Sequence, residues 1–268
     1  MDIEVIGDAG ERASRAIIDR IQEARQVFPA QTPLPVKVFV LSRGDWFRRL
    51  RPSTTASAFA STDRAGANVM VLSSASDSRA LLHEYSHLAL EQMAILPAWL
   101  DEGFAEFYST TAVEARRLVV GRPIPEHAVR LRRQGVPSLR DLMAVREALP
   151  AEYYPAAWSL AHMLRLGPGY RERFGAFWLL LQRGVEPARA MAEAYGQTLA
   201  RVESEWRAYV ERPVWPVENL PVGDPVAALP RVDTAAMDQA AFEEEYVDLL
   251  RTAGLVGEAT RMLAGGIA

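Results

Sequence analysis

The sequence HEYSH at residues 83–87 contains three side chains that could do chemistry together. On a helix, residues four apart share a face, so His83 and His87 can direct ring nitrogens at one metal ion. Glu84 lies about 100° further round the helix and can act as a base beside that ion. A catalytic metal of this kind takes three protein ligands and leaves one position for water. The motif therefore predicts metal-assisted hydrolysis and requires a third ligand from elsewhere in the chain.

The third ligand must be an imidazole or a carboxylate, because the sequence contains no cysteine. The candidates are the remaining histidines and the nearby acids: His127, His162, Glu91 and the carboxylates of WLDEGFAEF, residues 99–107. Glu91 would lie about 12 Å from His83 along a helix axis, which is too far to share an ion. Glu102 is better placed, since fourteen residues separate it from His87, enough to finish one helix and begin another.

HEYSH lies within a stretch of helical periodicity. Apolar residues recur every three to four positions, and Ser74 and Asp77 precede them in a capping-box pattern. The apolar stripe consists of Leu82, Tyr85, Ala89 and Met93. We therefore expect a helix that begins near Ser74, ends near Pro97 and carries both histidines on one face.

The segment PAWLDEGFAEFYS, residues 97–109, predicts a second helix, because proline is accepted in a first helical turn. We expect this helix to run antiparallel to the first one. Glu102 and Glu106 are four apart and share a face, while Gly103 allows a close approach. The expected helix pair would bring the Glu102 carboxylate towards the two histidines.

The N-terminal part of the chain predicts a small sheet with a leading helix. Residues 11–28 have helical periodicity, and VKVFVL at 36–41 is typical of a strand. Two further extended runs, 54–62 and 68–73, are joined by the polar segment DRAGA and predict a hairpin. The remaining predicted helices of the main domain are 138–148, 153–166, 170–183, 186–195 and 198–211.

Five prolines within residues 212–230 predict an extended linker. The tail that follows, from 233, contains two helical stretches around Gly254, which resemble part of a tetratricopeptide-type hairpin. The tail is expected to pack on the main domain or to begin a truncated array, and it could contact another protein. We predict an α+β fold with a domain at 1–211, a linker at 212–232 and a helical tail at 233–268.

Composition argues against two classes of partner. A 268-residue chain with 49% hydrophobic residues can bury a large core, and its net charge of -4 lacks the positive excess typical of nucleic-acid binding. No signal-peptide pattern begins at Met1, and no apolar run approaches the roughly 18 residues of a membrane span. We expect a cytoplasmic protein if Met1 is the natural start; a secreted protein without its signal would look the same.

HEYSH followed by LPAWLDEGFAEFYS resembles the gluzincin zinc metallopeptidases. The likeness is to peptidase-MA-like domains, which read HExxH and then W-L-x-E-G-x-A-E-[YF]. It implies one zinc ion held by His83, His87 and Glu102, with Glu84 as the general base. It also implies that Glu106 orients His83 through a hydrogen bond, which would fix the tautomer of that histidine.

The resemblance covers about residues 1–211, is strong over 80–109 and is looser towards both ends. YYPAAWSLAHML is similar to a downstream family segment in which a tyrosine precedes a helix. Tyr154 matches that tyrosine and is the expected donor to the developing oxyanion, with Tyr153 as its competitor.

The expected activity is hydrolysis of peptide bonds in a peptide or protein substrate, with residues 54–62 as an edge strand that binds extended peptide. The lack of a GxMEN-like segment favours an endopeptidase over an aminopeptidase. One alternative is a zinc-binding but inactive peptide-binding or scaffold module. Another is hydrolysis of a non-peptide amide or ester, which the same ligands would support.

Three further features have structural interpretations. His162 is expected to be a buried, hydrogen-bonded histidine, and His127 is expected to lie at the surface. The arginines Arg130, Arg132 and Arg133 are expected to form a solvated face.

Overall fold

Helices and short strands alternate along most of the chain, which gives a mixed α+β fold, as predicted. The computed structural model describes residues 3–7, 10–28, 35–41, 44–50, 57–62, 68–74, 77–222, 239–252 and 255–265. The strands are β1 (Ile3–Gly7), β2 (Val36–Val40), β3 (Ala58–Thr62), β4 (Asn68–Leu72), β5 (Ala112–Glu114), β6 (Arg117–Val120) and β7 (Glu218–Pro221).

Helices make up the larger part of the described residues. They are α1 (Gly10–Arg25), α2 (Gly44–Leu50), α3 (Ser78–Glu91), α4 (Ala98–Ser109), α5 (Pro125–Gln134), α6 (Leu139–Ala144), α7 (Tyr154–Leu166), α8 (Phe174–Gln182), α9 (Pro187–Tyr195), α10 (Leu199–Val210), α11 (Gln239–Thr252) and α12 (Val256–Gly265). Among the described residues, no helix combines the length and the apolar character that crossing a bilayer requires.

The chain divides into two compact units, one of Met1–Tyr85 with Gly223–Ala268 and the other of Ser86–Val222. The division falls within α3, which is nevertheless one continuous helix. The predicted domain limits at residues 211 and 232 stay predictions.

The first unit contains a four-stranded mixed sheet in the order β1-β2-β4-β3. β1 and β4 pair with β2 in parallel, and β3 pairs with β4 antiparallel, so the predicted strand and hairpin are confirmed. Residues 54–56 and the DRAGA segment lie outside the described residues. β1 and α2 were not predicted, because five and seven residues are too few to establish a period.

One face of this sheet packs against the C-terminal helices. Strand residues such as Phe39 and Val71 form one buried apolar cluster with Tyr246 and Leu250 of α11. The Tyr246 hydroxyl donates a 2.9 Å hydrogen bond to the backbone oxygen of Trp46. The two predicted tail helices are confirmed, and buried residues of both, such as Leu250 and Ala259, belong to the core of the first unit.

The second unit is built around α7, on which α4 packs most extensively. A Cβ atom at Gly103 would lie 2.5 Å from the backbone oxygen of Ala157 and 3.1 Å from the Ala161 side chain. Gly103 therefore permits a close approach, as predicted, but the helix that approaches it is α7.

A second sheet, which was not predicted, has the order β5-β6-β7 and belongs to the second unit. Its third strand lies within the predicted linker and pairs antiparallel with β6. Arg165 of α7 forms a 2.6 Å ion pair with Glu218 of β7, and the buried Trp215 ring stacks on Trp158. Residues 212–222 are therefore part of the second unit, and residues 223–232 of the linker lie outside the described residues.

The turn between β5 and β6 provides a test of backbone strain. Ala115 and Arg116 have φ values of 46° and 61°, the left-handed conformation that a two-residue type I′ turn requires at both positions. Asparagine and glycine adopt this conformation at lower cost. We expect Ala115→Asn combined with Arg116→Gly to raise the free energy of unfolding by about 1 kcal/mol in urea denaturation. An unchanged or lower value would contradict this interpretation of the turn.

Candidate metal centre

The first helix of the site, α3, begins later than the capping pattern predicted. Asp77 is the N-terminal cap, because its Oδ1 atom accepts a 2.9 Å hydrogen bond from the backbone amide of Ala80. The helix then runs from Ser78 to Glu91. It carries His83, Glu84 and His87 through its middle, as expected.

Three predicted site residues come together. One ring nitrogen each of His83 and His87 and one carboxylate oxygen of Glu102 all lie within 4.8 Å of one another. His87 Nε2 and Glu102 Oε2 are 3.6 Å apart, a separation that suits two ligands of a common ion. All three residues are half-buried, and Glu84 beside them is half-buried too. The arrangement could hold a metal ion and still leave it accessible to a small molecule.

Asp101, the residue before Glu102, binds the other nitrogen of His87. The Nδ1 atom of His87 donates a 2.8 Å hydrogen bond to Asp101 Oδ2, so Nε2 is the nitrogen that faces Glu102. Burial disfavours the charged ring, but hydrogen bonds and charges from Asp101 and Glu102 outweigh it and raise the pKa of His87 well above its usual range. Sequence reasoning missed Asp101, although its position next to the expected ligand was a signal.

Glu106 lies one turn after Glu102 on α4 and is buried. Its Oε2 atom is 3.3 Å from Nε2 of His127 on α5. The prediction that His127 lies at the surface is therefore wrong: its side chain is 16% exposed and contacts a buried carboxylate. α5 has no clear apolar stripe, since only Ala128 and Leu131 of its residues are buried, so the helix that positions His127 was not predicted.

Tyr154 is the first residue of α7 and is half-buried. Tyr153, its competitor, ends a short 3₁₀ turn immediately before it and is also half-buried. The roles of Tyr154 as an oxyanion donor and of Glu106 as a partner of His83 stay predictions.

His162 is fully buried in α7 and hydrogen-bonded, as predicted. Its Nε2 atom donates to the backbone oxygen of Gly121 at 2.9 Å, and Nδ1 accepts from the Tyr209 hydroxyl at 2.8 Å. Burial therefore favours the neutral ring and lowers the pKa of His162 to about 4. This histidine serves the core of the second unit and takes no part in the cluster of possible metal ligands.

The lowered pKa of His162 predicts a loss of stability in acid. Between its unfolded pKa of about 6.5 and its folded pKa of about 4, the unfolded chain binds more protons, so the free energy of unfolding falls as pH falls. His162 alone should contribute a loss of about 3 kcal/mol across this range. We expect the free energy of unfolding of His162→Gln to fall less steeply than that of wild type between pH 7 and pH 4. Both are measured by urea unfolding in the presence of a chelator. Parallel declines in the two proteins would contradict the assignment.

Comparison of the chain with protein-family models, with curated proteins and with solved structures found no match in any of the three searches.

Proposed function

We propose that this protein is a zinc metallopeptidase of the gluzincin type. The observation that carries the proposal is the convergence of His83, His87 and Glu102, with Glu84 next to the first histidine in the same helix. Under this proposal α3 and α4 are the active-site helix pair, and the helices from α5 to α10 are the helical C-terminal lobe.

The donor set suits zinc. Two imidazole nitrogens and one carboxylate oxygen form a three-ligand set that leaves a position open for water or substrate. When bound there, zinc would lower the pKa of a coordinated water and polarise the carbonyl that is attacked. The Asp101 hydrogen bond keeps the Nδ1 proton on His87, so Nε2 is the nitrogen that would give up its proton to bind the metal.

Glu84 is the proposed general base. Its carboxylate takes a proton from the attacking water as the new carbon–oxygen bond forms at the scissile carbonyl. The same proton then passes to the amide nitrogen, which leaves as an amine when the carbon–nitrogen bond breaks. One proton is accepted and one is returned, so Glu84 ends the cycle as a carboxylate.

Two further residues have supporting roles in this proposal. The Tyr154 hydroxyl, or that of Tyr153, would donate a hydrogen bond to the developing oxyanion. Glu106 would accept a hydrogen bond from His83 and fix the orientation of its ring.

An extended peptide is the proposed substrate. β3 is an edge strand of the first-unit sheet, where its described residues pair only with β4. Its other edge could therefore add a peptide strand through backbone hydrogen bonds. This mode of binding accepts internal segments of a chain, which favours an endopeptidase.

The proposal is tested by digesting a mixed peptide library with zinc-loaded protein and identifying the products by mass spectrometry. We expect cleavage at internal bonds that is lost on chelation and restored by added Zn²⁺. Small esters are assayed in parallel under the same conditions. Hydrolysis of esters alone would assign a non-peptide substrate, and zinc binding without any hydrolysis would favour an inactive peptide-binding module.

A further inference from the structure

The contact between Glu106 and His127 has no part in the proposed mechanism, which gives His127 no role. Of the carboxylates that the structure describes, Glu106 alone belongs to the buried side chains, with 7% of the residue exposed. Burying a carboxylate costs several kcal/mol unless hydrogen bonds compensate for the lost water. A core position in α4 that served packing alone would favour an apolar residue of similar size. The buried acid therefore indicates a task other than stabilising the helix.

The position of Glu106 on α4 relates it to the candidate ligands. It follows Glu102 by four residues, so both carboxylates leave the same face of the helix. A carboxylate has two oxygens and can accept several hydrogen bonds at once. His127 Nε2 reaches one of these oxygens, Oε2, at 3.3 Å.

His127 is itself held in place by its surroundings. Its ring lies 5.6 Å from the ring of the buried Trp158, measured between centroids. Ala128 and Leu131 on the same helix are buried, and α5 packs on α7. The imidazole is thus carried by a packed helix and can restrain the carboxylate that it contacts.

We propose that His127 is a positioning residue of the metal centre. It donates a hydrogen bond to Glu106 Oε2 and fixes the carboxylate in the orientation from which Glu106 can orient His83. The inference rests on the proposed function, because it assumes that His83 is a metal ligand and that Glu106 supports it. Hydrogen-bonded partners behind a ligand typically contribute 10- to 100-fold to metal affinity.

The test measures zinc affinity, which requires no turnover. His127→Phe keeps a ring against Trp158 but removes the donor, and we expect its Zn²⁺ affinity to fall about tenfold in competition with a chromophoric chelator. His127→Gln retains an amide donor and should restore affinity to within about threefold of wild type. Val129→Ala, on the exposed side of the same helix, is the matched control and should leave the affinity unchanged.

A double-mutant cycle shows whether His127 acts through Glu106. In a Glu106→Gln background, His127→Phe should cause little further loss of zinc affinity, because the carboxylate that it positions is already absent. Additive losses, or full affinity in His127→Phe, would overturn this inference while leaving the zinc site intact. The inference would also be overturned if metal-free His127→Phe melted at a lower temperature than metal-free wild type and this loss of stability accounted for its weaker zinc binding. Wild-type protein that binds no Zn²⁺ would overturn the proposed function and this inference together.

Discussion

Replacing Glu84 by glutamine is expected to lower kcat/KM for peptide hydrolysis by about 10²- to 10⁴-fold and to leave the zinc content unchanged. The amide keeps the size of the side chain but cannot take a proton from water. The three candidate ligands are unchanged, so zinc should remain bound. Zinc per chain is measured by elemental mass spectrometry, and cleavage is measured on a peptide found in the library screen.

Glu91→Gln is the matched control for this variant. Glu91 is an exposed acid at the end of the same helix, and the identical change there should leave both zinc content and turnover at wild-type levels. Undiminished hydrolysis by Glu84→Gln would rule out the proposed mechanism. Loss of zinc from Glu84→Gln would instead assign Glu84 to the metal site itself.

The second large effect is expected from Glu102→Ala, which removes the carboxylate that lies 3.6 Å from His87 Nε2. Losing one of three ligands should weaken zinc binding by more than about 100-fold, beyond what the loss of a supporting hydrogen bond causes. After dialysis against a mild chelator, wild type should retain about one zinc per chain and the variant almost none.

Glu147→Ala provides the control for Glu102→Ala, because Glu147 is an exposed acid in the loop after α6. Its zinc content should equal that of wild type. If Glu102→Ala kept its zinc through the same dialysis, a different side chain would be the third ligand. If wild type bound no zinc even after reconstitution, HEYSH would be a helical segment with two histidines and no metal.

The elements of the site could be predicted because they are long and strongly patterned. α3 and α4 carry apolar residues at helical spacing, and the spacing within HEYSH and WLDEGFAEF depends only on helix geometry. The shared helix face of His83 and His87 was therefore predictable from the sequence. The choice of Glu102 as their partner rested on the length of the connecting segment and on the resemblance to peptidase-MA-like domains. The start of α3 was predicted too early, because Ser74 and Asp77 both suit a cap and the structure uses Asp77.

The parts that were missed depend on tertiary contacts or on unusual local chemistry. His127 contacts Glu106 only because α5 packs against α7, and no spacing in the sequence predicts that contact. The β5–β6 hairpin turns through Ala115 and Arg116, which lack the asparagine and glycine signals on which hairpin prediction relies. β7 lies in a proline-rich segment and ends at Pro221, so composition predicted a linker.

The shared cluster of the first sheet and the C-terminal helices has a consequence for how the chain folds. Trp46 and Tyr246, which are hydrogen-bonded, are 200 residues apart in sequence, whereas Ser86–Val222 is an uninterrupted segment. During synthesis the uninterrupted segment can assemble as soon as it leaves the ribosome, but the sheet must wait for the final helices to cover its face. A chain that stopped before α11 would expose Phe39 and Val71 to water and become prone to aggregation. The first strands of the chain are therefore fully buried only after its last helices have been synthesised.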